Sequence, residues 1–339
     1  MMNHNDFPKM TEEFDRSVRR ALDSLPERES KPVRRFSAKK IVCAGLAAAL
    51  CIGGTAFAAN AQSWFPLLFP NGGDANLEGY VQTADNAKLT DENEHYRLSV
   101  ESVLFDESAG TGVISLHLEN KKQDGVKPFT LAHLIDSYRN KPDITWSTLS
   151  SCYAEEGQLA FEVMYGDSGF CGSEFYLDTA RSTDNDYYFE GAFAISSDYR
   201  QGEPLRLEAL EPGKTTVRAD GAGTAKTVLA VDLPEFQQMP YLTSADGDVT
   251  LSQIGIRIRN ADMHCTVDEV DKLSVQLKDG SEYVILDENA DIDRTLYTYG
   301  FNSTEDTDRI DTEIAVLARA FDLDNVQSVT INGEVYPLS

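Results

Sequence analysis

Residues 41–59, IVCAGLAAALCIGGTAFAA, contain no charged side chain and almost no polar one. At about 1.5 Å per residue the run makes a helix of roughly 28 Å, close to the ~30 Å hydrocarbon core of a bilayer. A helix in a globular core keeps a polar face, and this one has none. Arg34, Arg35, Lys39 and Lys40 stand just before it. Trp64 and Phe65, at the end of the uncharged stretch, suit a headgroup layer. The pattern predicts a transmembrane signal anchor over 41–59. The N-terminus is then cytoplasmic and the chain beyond about residue 60 is extracellular.

A cleaved secretory leader is the rival reading. Ala56-Phe57-Ala58 is an acceptable small-x-small cleavage site, and Gly53-Gly54 could end the helix before it. However, a leader's charged region is usually a few residues long, and here 40 residues precede the apolar run. Lipidation is disfavoured because Leu50 precedes Cys51 and Val42 precedes Cys43, where a small residue is needed.

Those 40 residues have a design of their own. Phe7, Met10, Phe14, Val18, Ala21, Leu22 and Leu25 fall three and four apart, on one face of a helix that Pro26 ends. A single helix of about 17 residues is marginal in water, so the stripe needs a partner. Another protein, the membrane surface and a second copy are the three options. The polar face mixes Glu12, Glu13, Asp15 and Asp23 with its arginines, which favours a protein partner over a membrane. Phe7, Met10, Phe14, Val18, Leu22 and Leu25 are the expected contact residues. Residues 27–40 form a basic linker.

Charge divides at the apolar run. Residues 1–40 carry ten Lys and Arg against seven Asp and Glu, and the remainder carries 20 against 49. So acidic an outer region would repel nucleic acid. Solubility accounts for the acidity. The acid-rich stretches at 287–294 and 302–311 lack the spacing and central glycine of an EF-hand loop.

From residue 95 the apolar period is two. Tyr96, Leu98 and Val100 alternate with polar neighbours, as do Ile114, Leu116 and Leu118, and Ile254, Ile256 and Ile258. Leu273, Val275 and Leu277 lead to an Asp279-Gly280 turn with a return through Tyr283 and Ile285. Asn332-Gly333 marks another hairpin. The expectation is a mainly β chain with two antiparallel β-sandwiches, at 92–200 and 201–339, joined near "SDYRQGEP". Helical interruptions are expected near 129–139 and 311–321. Residues 60–91, with Pro66, Pro70, Gly72 and Gly73, are expected to be a juxtamembrane stalk. Such a stalk is either only a flexible spacer, the plainer reading, or the place where a membrane-bound or surface protease cuts, between about residues 71 and 91.

The helical tail, basic stop, "GGTAFA" anchor and "YRLSVESVLFD…GVISLHLEN" strand pair resemble a family of Gram-positive bacterial membrane proteins, domain of unknown function 4179. The ending "LSVQLKDGSEYVIL…VQSVTINGEVYPL" resembles the immunoglobulin-like domain that often follows. The resemblance implies an anti-sigma-factor-like role, with an extracytoplasmic-function sigma factor as the cytoplasmic partner. The chain lacks the His-x3-Cys-x2-Cys motif of zinc-binding anti-sigma domains, so a metal-dependent form of that role does not carry over. If the leader is cleaved, the alternative is a secreted or surface-anchored cell-wall or adhesion protein.

Catalytic signals are weak. "YGDSGF" at 165–170 looks like the nucleophile loop of chymotrypsin-like proteases, with His133 upstream. Thirty-five residues between His133 and Ser168 are too few to build the two barrels of that fold, and Phe170 stands where that family has glycine. A turn between two strands explains the motif. The histidines do not cluster as metal ligands do. No spacing singles out an acid pair for glycoside hydrolysis. The expectation is therefore no enzyme, no cofactor and no metal. Of the five cysteines, Cys43 and Cys51 lie in the apolar run. Cys152 and Cys171 are the expected disulfide pair outside, with Cys265 left over, and free thiols are the open alternative.

Overall fold

The computed structural model describes residues 64–69, 73, 75–84, 89–133, 147–149, 158–166, 169–196, 199–211, 226–260, 270–305 and 308–339. The expected contact residues Phe7 to Leu25, the basic residues Arg34 to Lys40, the apolar run 41–59 and Cys152 lie outside the described residues. Among the described residues no helix is long and apolar enough to cross a membrane.

The described residues form one compact unit, and it is mainly β. Its first strands are β1 (Gln82–Thr83), β2 (Thr90–Glu92), β3 (Tyr96–Asp106), β4 (Thr111–Asn120), β5 (Ala132–His133) and β6 (Ser147–Leu149). They continue as β7 (Ala160–Tyr165), β8 (Gly169–Phe170), β9 (Gly172–Leu177), β10 (Asp186–Ala194), β11 (Leu205–Glu211) and β12 (Lys226–Asp232). One antiparallel sheet runs β1-β3-β4-β10-β9-β6-β5, with β2 also on β3. A second runs β12-β11-β7-β8.

Alternation explains how these two sheets face each other. Ile114, Leu116 and Leu118 of β4 and Phe189 and Phe193 of β10 meet Phe161, Val163, Leu207, Ala209, Leu229 and Val231 in one core. The strand β3 changes parity once. A register shift between Val100 and Ser102 makes Glu101 the extra residue. Leu98 and Val100 before it, and Val103 and Phe105 after it, therefore reach the same core.

The later strands are β13 (Tyr241–Thr243), β14 (Val249–Ser252), β15 (Gly255–Asn260), β16 (Lys272–Leu277) and β17 (Glu282–Asp287). They end with β18 (Ile292–Asp293), β19 (Thr295–Glu305), β20 (Asp308–Leu317), β21 (Val326–Ile331) and β22 (Glu334–Pro337). A third sheet runs β13-β14-β15-β20-β19 and a fourth β18-β17-β16-β21-β22. Val249, Leu251, Ile256, Ala315 and Leu317 pack on Leu273, Val275, Ile285, Val329 and Ile331 between them. Both anticipated hairpins form, β16–β17 around Asp279-Gly280 and β21–β22 around Asn332-Gly333. Asn332 and Gly333 both take positive φ, 48° and 89°, as a type I′ turn requires.

A third core joins the first and third sheets. Leu104, Val113, Tyr176 and Ala192 from one meet Ile254, Leu296, Val316 and Ala318 from the other. The sheets thus stack as four layers in the order second, first, third, fourth.

This stacking differs from the sequence expectations in three places. The segment 311–321 is not a helix, because residues through Leu317 belong to β20. That strand is buried on both faces, with Val316 toward the first sheet and Ala315 and Leu317 toward the fourth. Burial on both faces gives a continuous apolar run with no alternation to read. At the expected break near 198–204, residues 199–204 form a loop inside the first pair of sheets. Beyond it β11 pairs with β7 and β12 with β11, so sheet membership changes only after Asp232. Finally, the expected stalk is packed. Phe65, Leu68, Phe69, Ala75, Leu77 and Val81 are buried in the third core, and β1 pairs with β3.

Candidate coupling site at the docked N-terminal segment

"WFPLLF" at 64–69 makes a single helical turn, with the Phe69 N–H donating to the Phe65 carbonyl at 3.0 Å. Pro66, with its φ pre-set near −65°, takes an early position where its missing N–H costs nothing. Phe65, Leu68 and Phe69, spaced three and four apart, share one face and are fully buried. The Phe65 and Phe69 rings meet edge to face with centroids 6.3 Å apart. Trp64, expected in a headgroup layer, is half-buried and packs against this same cluster. Further on, the Leu77 carbonyl accepts from the Tyr80 and Val81 amides, which turns the chain into β1.

The turn meets a buried acid. Glu190, in the apolar stretch "DYYFEGAFA" of β10, lies opposite Ser115 of β4 and Tyr176 of β9. It is 1 % exposed. Its Oε2 accepts from the Leu67 amide at 2.8 Å and the Leu68 amide at 3.0 Å. These are free donors at the start of a helical turn, where a carboxylate is favoured. Its Oε1 is buried with no hydrogen-bond partner in the structure. Burial pushes the Glu190 carboxyl up to about 8. The Leu68 and Leu67 amides oppose the rise, Asp178 adds to it, and Arg181 opposes it.

Around Glu190 the sheet face grades from apolar to wet. Inward, the Tyr176 hydroxyl lies 2.7 Å from both Glu174 Oε2 and the Leu296 carbonyl, which ties the first sheet to β19. Outward, Arg181 donates to Glu101 Oε2 at 2.6 Å and covers the Tyr188 ring at 4.1 Å. His117 stacks on Tyr188 at 4.4 Å and lies 3.0 Å from Asp186.

A second buried acid sits where the β3–β4 turn meets the third sheet. Asp106 is fully buried and accepts from the Ser108 amide at 2.9 Å. Burial pushes its carboxyl up, against the pull of Ser252, the Ser108 and Ala109 amides and Arg257. Next to it, Glu107 accepts from the Tyr199 hydroxyl and the Gly202 amide, at 2.8 and 2.6 Å. The interface between the first and third sheets therefore holds two carboxyls displaced upward by burial.

Elsewhere, the residues on either side of Asp167 and Ser168, which lie outside the described residues, pair antiparallel, with Met164 opposite Phe170 and Tyr165 opposite Gly169. His133 lies in β5 of the first sheet, whereas β8 belongs to the second. Cys171 is buried and its amide donates to the Val163 carbonyl at 2.8 Å. A cleft of about 420 Å³ on the fourth sheet is lined by Asp279, Glu282, Tyr283 and Arg319 among others, with the Arg319 guanidinium 4.9 Å from the Tyr283 ring centre. Among the described residues no three His, Cys, Asp or Glu side chains converge as a metal site.

Glu190 was not among the residues singled out from the sequence, although a signal was present. An acid at the centre of a strand, flanked by Tyr-Tyr-Phe before it and Gly-Ala-Phe-Ala after it, is expensive to bury unless something meets it. Compared with models of protein families, with curated proteins and with solved structures, the chain gives no match in any of the three.

Proposed function

We propose that the chain is a single-pass membrane regulator of anti-sigma-factor type, with a cytoplasmic N-terminus and an extracellular β unit. Residues 41–59 are the anchor. Phe7, Met10, Phe14, Val18, Leu22 and Leu25 enter a groove on a cytoplasmic sigma factor of the extracytoplasmic-function class, as amphipathic helices do in helix-in-groove complexes. The third and fourth sheets are the immunoglobulin-like domain of the family it resembles. The protein has no catalytic activity, no cofactor and no nucleic-acid partner of its own.

The observation that carries this reading is the docking of residues 64–69 on Glu190, just beyond the apolar run in sequence. A surface protein tethered for display needs only a spacer there. A segment buried in the core and held by a buried acid instead links the state of the β unit to the chain that leaves it. A surface protease fits the scheme at a later step, because a cut near 71–91 requires this packed segment to open first.

Capture of cytoplasmic proteins on residues 1–40 tests the function. Wild type should retain a sigma factor, and Phe14→Asp should release it. Equal capture by both would remove the gripping helix. Mature protein in the medium beginning near Ala59 would establish cleavage and favour a wall-binding or adhesion role.

A further inference from the structure

The joint at Glu190 has the parts of a releasable latch. Two consecutive backbone amides of the N-terminal turn converge on one oxygen of a carboxyl buried to 1 % exposure, while its other oxygen has no partner. The turn adds only three buried apolar side chains of its own, Phe65, Leu68 and Phe69. We infer that this joint is a proton-linked latch: with Glu190 protonated the turn stays docked, and ionisation of Glu190 undocks it and frees the segment leading to the anchor. The inference rests on the membrane-regulator reading for its biological consequence, though the latch itself can be measured without it.

The charges around the acid fit this direction. The docked turn, residues 64–69, contributes no charged side chain. From the end of β9, Asp178 disfavours ionisation, and beyond it Arg181 favours it. Arg181 is engaged with Glu101 of β3 at 2.6 Å, which blunts its effect. Glu174 of β9 lies on the same face, turned to the Tyr176 hydroxyl. From β4 the facing residue is neutral Ser115, whose hydroxyl donates to Glu101 at 3.3 Å. An ionised Glu190 would keep its two amide donors but would leave Oε1 charged and unsolvated. Water reaches that oxygen only if the turn lifts.

The sign follows from linkage. The docked carboxyl titrates near 8, and an undocked, hydrated one near its ordinary 4.5. Docking is therefore fully stabilised by protonation below about 4.5. That stabilisation drains away as pH rises through the interval and is gone above about 8. The latch is closed in acid and loosened in alkali.

Hydrogen exchange at the Leu67 and Leu68 amides reads this directly, using the full chain in detergent micelles. After correction for intrinsic exchange, protection should fall by close to tenfold per pH unit between 5.5 and 7.5, then level off above about 8.5. Amides of β16 and β21 should keep theirs. Glu190→Gln, which keeps an acceptor and cannot ionise, should show no pH dependence. In wild type labelled with ¹³C at its glutamate carboxyls, one signal should titrate far above the rest. Flat wild-type protection, an unchanged slope in Glu190→Gln, parallel loss in β16 and β21, or no high-titrating glutamate would each overturn the latch. A latch that titrates while Phe14→Asp captures the same proteins as wild type would leave the proton-linked joint standing and remove only the sigma-factor reading.

Discussion

Replacing Leu68 by Ala separates a packed N-terminal segment from a mere spacer. Leu68 is 0 % exposed in the core between the first and third sheets, against Phe65, Phe69 and Leu104 among others. Removing a fully buried leucine side chain costs about 2–5 kcal/mol, from lost transfer energy plus the cavity left behind. A substitution in a spacer would cost less than about 0.5 kcal/mol. Leu67→Ala is the internal control. Its amide makes the same kind of bond to Glu190, but its side chain is only half-buried, so it should cost about 1 kcal/mol or less. With a urea slope of about 3 kcal/mol/M, Leu68→Ala should lower the midpoint by roughly 0.7–1.7 M. Pulse proteolysis of full-length protein in urea, followed through a C-terminal tag, measures that midpoint. Equal midpoints for Leu68→Ala and Leu67→Ala, both within error of wild type, would refute the packed segment and the latch built on it.

Two further substitutions test the sheets themselves. Gly112 of β4 lies beneath the Phe193 ring, which itself stacks on Phe105 at 5.8 Å, and a Cβ there would overlap the ring. Gly112→Ala should destabilise the unit by about 1–3 kcal/mol, seen as a melting temperature several degrees lower. Gly333 turns the β21–β22 hairpin at φ 89°, where an L side chain is strained. Gly333→Ala should cost about 1 kcal/mol and raise hydrogen exchange in β22 before any other strand.

Much of the β architecture was legible because its signals are local. The alternation in β4 placed Ile114, Leu116 and Leu118 inward, and the two Gly-containing turns closed where expected. What escaped depends on neighbours distant in sequence. "EIAVLA" resembled a helix because the first and fourth sheets cover both faces of β20, which erases the alternation a one-sided strand shows. Residues 64–81 resembled a stalk because Pro and Gly outweighed the 65, 68, 69 spacing of their apolar residues. That spacing was the better guide. The acid of "YYFEGAFA" gave no hint of its partners, two backbone amides more than a hundred residues earlier, because a backbone donor leaves no mark in a sequence. The expected gripping helix and anchor lie outside the described residues.

The third core also sets a timetable for the protein's own production. Phe65, Leu68 and Phe69 are among the first residues of the β unit to emerge in synthesis. Yet their cluster is completed by Ala318 and Ala320 near the far end, and Gly73 bridges Ala320 directly. At roughly 5–20 residues per second, that apolar turn waits about 10–50 s for its cover. Any chain that stops short of β20 leaves the turn uncovered on its side toward the third sheet, with that face of the first sheet open beside it. Such a fragment presents exposed apolar side chains to quality-control proteases, whereas the finished chain hides them. The order of burial therefore makes resistance to degradation a property of completed molecules alone.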